Sequence, residues 1–226
     1  MSDVAQALAV LQFGDSFFPS GAVSFSWGLE GLSGSGAVTD ADTVRAFVIG
    51  QLRARWAEFD RPVVVSAHRA RMNLDNVAAI DDQVEVQSPC AELRGASRRM
   101  GDAMLSVFAR LGIGDAAAYR EKMKQGDAFG HLPAMQGYLW GGAGLSERDA
   151  VALSAHTFAT GLLGAGIRLG CLGHIEAQQI LVEARQEAAR LAALPVPPVG
   201  ALSAYGLEAE IAVMQHANNS LRVFAN

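Results

Sequence analysis

The sequence lacks every compact signature that announces a reaction. There is no G-x-x-x-x-G-K-[ST] loop to cradle nucleotide phosphates, no G-x-S-x-G around a serine, and neither H-E-x-x-H nor C-x-x-C. The first absence excludes nucleotide hydrolysis through a P-loop, and the second leaves Ser16, Ser20, Ser24 and Ser26 with turn and capping roles. Cysteine is nearly missing: Cys90 and Cys171 stand far apart, which is no disulfide framework and points to a reducing cytosol. No run of lysine or arginine occurs, and the net charge is −5. The footprint that phosphate backbones demand is therefore absent, and nucleic acid is not an expected partner. The opening MSDVAQALAV has no basic residue ahead of its apolar ones, so it does not read as a secretory signal. Alternation with period two is also missing. Val63–Val65 is β-branched, but it follows Pro62 in a helical context.

What is present is apolar bulk. Half of the 226 residues are hydrophobic, and mean hydropathy is +0.19. A chain of this length buries a substantial core, and its surplus of apolar residues suits further burial against partners. The longest apolar tract, Val151–Leu172, contains His156 and Arg168 and is interrupted by Gly161, Gly164, Gly166 and Gly170. Glycine and alanine supply little transfer energy, so the tract reads as a helix buried in protein and not as a membrane span.

The remaining pattern is helical. Thr39 and Asp40 cap a helix predicted to reach about Phe59, with Val44, Phe47, Val48, Leu52 and Trp56 on one face. Pro62 suits the first turn of a second helix running to about Met72. Asp75 opens a third, holding Val77, Ile80 and Val84. Ser88-Pro89 is read as N-cap and first residue of a long helix to about Leu111, lined by Leu93, Met100, Met104 and Phe108. Ser146 and Asp149 resemble a capping box ahead of the glycine-rich helix. Another helix is expected from about Gly173 to Leu194, where LPVPPVG at 194–200 acts as a connector, and a last one over Ser203–Asn218. The fold class is all-α: a single-domain bundle of roughly ten helices over 1–226, with 1–38 as a docking segment and 219–226 as a tail.

Within this frame a few residues stand out. FGDSFFPSGAVSFSWGLE at 13–30 leads from two aromatics through proline and glycine into a short apolar helix expected to end at Glu30. Phe17, Phe18 and Pro19 on a constrained turn, with Trp27 behind, suit docking; the alternative is that they plug the core, above all Trp27. Glu92, Arg94 and Ser97 sit near the start of the long helix, and Glu92 there suits the helix dipole. Arg168 interrupts an apolar helix end and requires a carboxylate or carbonyl partner. Cys171-Leu172-Gly173-His174 is the one local pair with ligand-like spacing, flanked by Gly170 and Gly173 at a turn. Two ligands make no closed site; the alternative is a buried thiol beside a helix-start histidine. GLLGAG at 161–166 lies inside a helix and reads as close packing, not as a dinucleotide fingerprint.

Three blocks, taken in order, carry a resemblance. FPSGAVSFSWGLE at 18–30, ELRGASRRMGDAML at 92–105 and GIRLGCLGHIEAQQIL at 166–181 are similar to the motifs of the urease accessory protein UreF family, along nearly the full length. The resemblance implies a non-enzymatic scaffold that pairs with UreD/UreH, dimerises and recruits the GTPase UreG. The assembly then engages apo-urease, with nickel in transit and no stably bound cofactor. It implies partner-binding roles for Phe17, Phe18, Pro19, Gly21, Ser26, Trp27, Gly28 and Glu30 in the first block. In the second and third blocks the corresponding residues are Glu92, Arg94, Ser97, Arg168, Gly170 and Gly173. In the tail, Leu221 and Phe224 with Arg222 form an apolar-plus-arginine set typical of interface anchors, and a tail folded back on the protein's own core is the alternative. The family commonly carries proline and glutamine where this chain has Cys171 and His174. Two other readings stand beside the scaffold: a helical carrier holding nickel through Cys171 and His174, and a small-molecule enzyme using a bundle cavity with Glu92 as acid or base.

Overall fold

The computed structural model describes residues 3–19, 25–204, 211–214 and 224. Among them are ten α-helices and no strand. They are α1 (Asp3–Gly14), α2 (Leu29–Gly34), α3 (Ala41–Gln51), α4 (Arg61–Ala70), α5 (Leu74–Gln87), α6 (Ala91–Leu111), α7 (Ala116–Gln125), α8 (Leu132–Gly142), α9 (Glu147–Arg168) and α10 (His174–Ala192). A π-helical segment, Leu52–Asp60, joins α3 to α4. The all-α expectation holds.

Local chemistry explains the boundaries. Asp40 and Thr43 form a reciprocal capping box for α3, Asn73 accepts from the N–H groups of Asp75 and Asn76 to start α5, and Ser146 accepts from Asp149 N–H to start α9. Ser88 and Pro89 do not start α6. That helix begins at Ala91 with Cys90 as its cap residue; Ser88, preceding proline, stays extended, and its carbonyl accepts from the Arg94 guanidinium at 2.6 Å. Nor does a helix end at Glu30: Leu29 begins α2, after Gly28 in the left-handed region (φ 90°). The predicted last helix is described only at 211–214, where the residues are helical.

The expected break before Pro62 is absent, because α3, the π segment and α4 run on continuously. Pro62 has no N–H, so the Glu58 carbonyl lacks its usual donor four residues on; the Ser203 N–H supplies one at 3.2 Å. The Arg61 N–H reaches back five residues to Trp56, and its guanidinium donates to the Ala57 carbonyl at 3.3 Å. The widened turn, which is rare and concentrated at functional sites, is thus held open by a proline and two substitute donors. Arg61 itself is buried, and its other nitrogens donate to Leu191, Leu194 and Pro195 carbonyls at 2.8, 3.0 and 2.9 Å, closing the end of α10.

Two large apolar clusters result, beside two small ones around Phe25 and Cys90. One gathers Phe13, Phe59, Val64, Met104, Phe108, Tyr119, Tyr138 and Trp140 from α1, the π segment, α4 and α6–α8. The other gathers Leu29, Val48, Trp56, Leu162, Ile180 and Phe224 from α2, α3, α10 and beyond. Helix α9 serves both, giving Ala150 and Leu153 to the first and Ala155, Ala159, Leu162 and Ala165 to the second. It is long and apolar enough to cross a membrane by composition, yet half of its most apolar stretch is buried within the protein.

Candidate functional site

Between the two clusters lies an apolar groove of about 340 Å³. Its walls are Phe13 and Phe18 on one side, Trp27 and Trp56 on the other, Met100, Met104 and Trp140 at depth, and the Thr157–Arg168 face of α9 as floor. Each wall has a mechanical cause. The π segment turns Trp56 inward, where its indole N–H donates to Ser154 Oγ at 3.0 Å. It also sets Arg55 and Asp60 five residues apart on one side, and Arg55 Nε donates to Asp60 Oδ1 at 3.1 Å. Burial pushes the Asp60 carboxyl above its ordinary value even though Arg55 pulls it down. The Arg55 guanidinium also covers Phe59 at 4.2 Å and Trp27 at 5.4 Å.

Trp27 is the one described non-glycine residue at positive φ, 54°. A bulky side chain there is strained. It is held by an edge-to-face contact with Phe158 at 5.7 Å and by Arg55, half-buried at the groove's rim. On the floor, a methyl added at Gly161 or Gly164 would meet nothing within 4 Å. Those glycines do not serve the chain's own packing, and each weakens the helix relative to alanine.

Of the residues singled out by sequence, Phe18, Trp27, Arg168 and His174 converge on this groove. Phe18 also packs edge-on against Phe13 and Phe108 at 5.6 and 5.8 Å, whereas Phe17 is 94% exposed and Pro19 is exposed beside it. Ser26 and Glu30 are buried behind Trp27, where Ser26 Oγ accepts from the Glu30 N–H at 3.4 Å.

The second block lends Met100 and Met104 to the groove, but its singled-out residues lie elsewhere, at a joint between helices. Ser97 Oγ accepts from Leu132 N–H at 3.1 Å, Arg94 pairs with Glu85 at 3.4 Å, and Glu92 accepts from the Cys90 thiol at 3.2 Å. Gly170 (φ 75°) and Gly173 shape the α9–α10 turn. The expected tail anchor Phe224 is 5% exposed and packed in the second cluster under the Arg168 guanidinium, 4.4 Å from its ring; an aromatic ring offered to that cation is better buried than presented to solvent. Among the described residues the Arg168 guanidinium meets this ring and no carboxylate or carbonyl. Gly21, Leu221 and Arg222 lie outside the described residues.

Cys171 and His174 part company. The thiol is buried against Ser33 Oγ at 3.5 Å and the Val38 carbonyl at 3.9 Å, while His174 is exposed at the groove's end. No three potential metal ligands cluster among the described residues.

Sequence reasoning missed an anchor on the far side of α6. Asp81, fully buried, accepts from Tyr119 Oη at 3.0 Å and from the N–H groups of Phe129, Gly130 and His131 at 2.8, 2.7 and 2.8 Å. It pins the α7–α8 loop. Next to it His131 Nε2 meets Glu85 at 2.9 Å, and Glu85 also pairs with Arg98.

The UreF family profile matches residues 38–185, and a urease accessory protein UreF from Trichodesmium erythraeum is 32% identical across the whole chain and 99% of that relative. The chain belongs to the UreF family. Proteins of the same name from Yersinia enterocolitica and Yersinia pseudotuberculosis are 26% identical over 99% of this chain and all of theirs. The alignments with these relatives span nearly all of both chains, whereas the family profile begins after Phe13, Phe18 and Trp27 of the groove.

Proposed function

We propose that this UreF family protein is a non-catalytic scaffold of urease maturation. With a UreD/UreH-type partner it recruits the GTPase UreG and supports GTP-dependent nickel insertion into apo-urease in the cytoplasm, acting as a homodimer within that complex. Nickel passes as cargo. No nucleic acid and no membrane takes part.

The observation that carries the reading, beyond membership, is the groove. Residues singled out from two separate blocks, Phe18 and Trp27 from the first and Arg168 from the third, meet around a glycine floor that the chain's own packing leaves open. Aromatic anchors, a strained Trp27 and a helix open to close approach suit a partner's apolar segment. The carrier reading draws less support, since Cys171 faces inward and His174 outward. The enzyme reading draws less still: Glu92 does not line this groove.

Co-purification tests the scaffold. Tagged wild-type chain is expected to bring down the accessory partner, the GTPase and urease subunits from its own cytosol. Trp27→Ala is expected to lose at least one of them while keeping its melting temperature within a few degrees. Retention of every partner by that variant would remove the groove from the account.

A further inference from the structure

A second groove, separate in lining from the first save for Trp56, opens between α9 and α10 and has a volume of about 510 Å³. Its floor is small: Ala155 and Ala159 of α9 face Ala184 and Ala188 of α10. Alanine on both walls of a valley lets a third helix lie close to both backbones, as ridges settle into grooves.

Charge distinguishes this valley from an ordinary seam. Arg148 and Arg185 stand on its rim, and neither makes an ion pair among the described residues. The carboxylates nearby are already committed. Glu147, also on the rim, is held by Arg69 through two bonds of 2.7 Å. Glu187 is held by Arg53 and Arg190 at 2.6 and 2.8 Å, and Glu183 lies 3.8 Å from Arg45. His156 on the floor's edge adds no negative charge, and burial holds its pKa below the ordinary imidazole value. In a chain whose formal charge is −5, two cations that make no ion pair among the described residues stand over an apolar floor and mark a local positive field complementary to an acidic surface.

We infer that the α9–α10 valley docks an amphipathic helix of a partner protein, its apolar face on the alanine floor and carboxylates along its flank against Arg148 and Arg185. This rests on the scaffold reading, within which it assigns a second contact surface apart from the aromatic groove.

The test uses the full chain in the reconstituted maturation complex, with amide hydrogen exchange and binding titrations at low and moderate salt. In the wild-type complex, residues 152–159 and 184–192 gain protection on assembly. The double variant Arg148→Glu, Arg185→Glu keeps the wild-type melting temperature, binds about tenfold more weakly at low salt and loses most of the salt dependence. Ala188→Trp, which fills the floor without touching charge, weakens assembly while leaving salt dependence intact. A complex that forms with no protection in the valley, or with unchanged affinity in both variants, overturns the docking assignment and leaves the scaffold reading standing. Failure of the wild-type chain to assemble with any maturation partner overturns the scaffold reading and this inference with it.

Discussion

Asp81 does more for this fold than any residue its sequence context advertises. One carboxylate gathers three backbone N–H groups and a tyrosine hydroxyl in a site closed to water, and a buried anion with that many donors cannot be removed without leaving them unsatisfied. Asp81→Asn is expected to cost about 3 kcal/mol, read as a lower urea midpoint with unchanged slope; a loss under about 1 kcal/mol would show the loop to be held by other means. The neighbouring His131 predicts a pH effect. Burial holds its pKa below the ordinary 6.5, outweighing the pull of Asp81 and Glu85. As pH falls through 6.5, the unfolded chain takes up a proton that the folded chain still refuses, so stability declines from there down to the folded-state pKa. His131→Gln is expected to flatten stability against pH between 7 and 5 relative to wild type, whatever its absolute stability. An unchanged slope would place the titration elsewhere.

At this scale the sequence was only partly legible. Trp27 and Arg168 stood out because an aromatic behind glycine and a cation in an apolar tract are locally anomalous. Asp81 did not, since an aspartate in a helix reads as solvated until the loop at 129–131 is folded over it. The Arg55–Asp60 pair was hidden for a different reason: five-residue spacing places two side chains together only where the helix widens to a π turn.

Among the elements, glycine divides into two kinds. A methyl at Gly137 in α8 would overlap the Val64 carbonyl of α4, and one at Gly101 in α6 would overlap the Gly130 carbonyl, whereas Gly161 and Gly164 of α9 face open space. Gly137→Ala is therefore expected to destabilise by about 2–3 kcal/mol through overpacking against backbone. Gly161→Ala is expected to stabilise by up to about 1 kcal/mol while weakening partner capture, because it raises the groove floor. Equal effects of the two on thermal melting would contradict this division. The amphipathic helices α3 and α6 were readable from periodicity, and α10 from the prolines that stop it. Helix α8 was not: LPAMQGYLWGG is buried nearly all round, so no polar face marks its period. Helix α1 was missed because apolar residues lie on two faces: Ala9, Val10 and Phe13 meet the core while Val4, Leu8 and Leu11 are exposed. Pro62 predicted a break that two substitute donors repair, one of them, Ser203, more than 140 positions along the chain.

For the whole molecule, two apolar clusters joined by α9 explain why the site sits where it does: the groove is the seam between them. Its membership in the UreF family was legible from three short blocks, because those blocks supply the seam's rim and the α6–α8 joint. The tail was not legible in the same way. Phe224 packs into the second cluster beneath Arg168, and Phe224→Ala is expected to lower stability by about 3 kcal/mol, measurable by chemical denaturation; a loss below about 1 kcal/mol would mean the ring contributes little to the core.

The central claim, that this chain acts on urease without chemistry of its own, meets its most direct test in activation of purified apo-urease by nickel, GTP, the UreD/UreH-type protein and the GTPase, with and without this chain. The account predicts that urease activity appears only when the chain is present, that it fails when GTP is replaced by a non-hydrolysable analogue, and that the chain alone turns over no GTP. Equal activation in its absence, or GTP hydrolysis by the isolated chain, would contradict it.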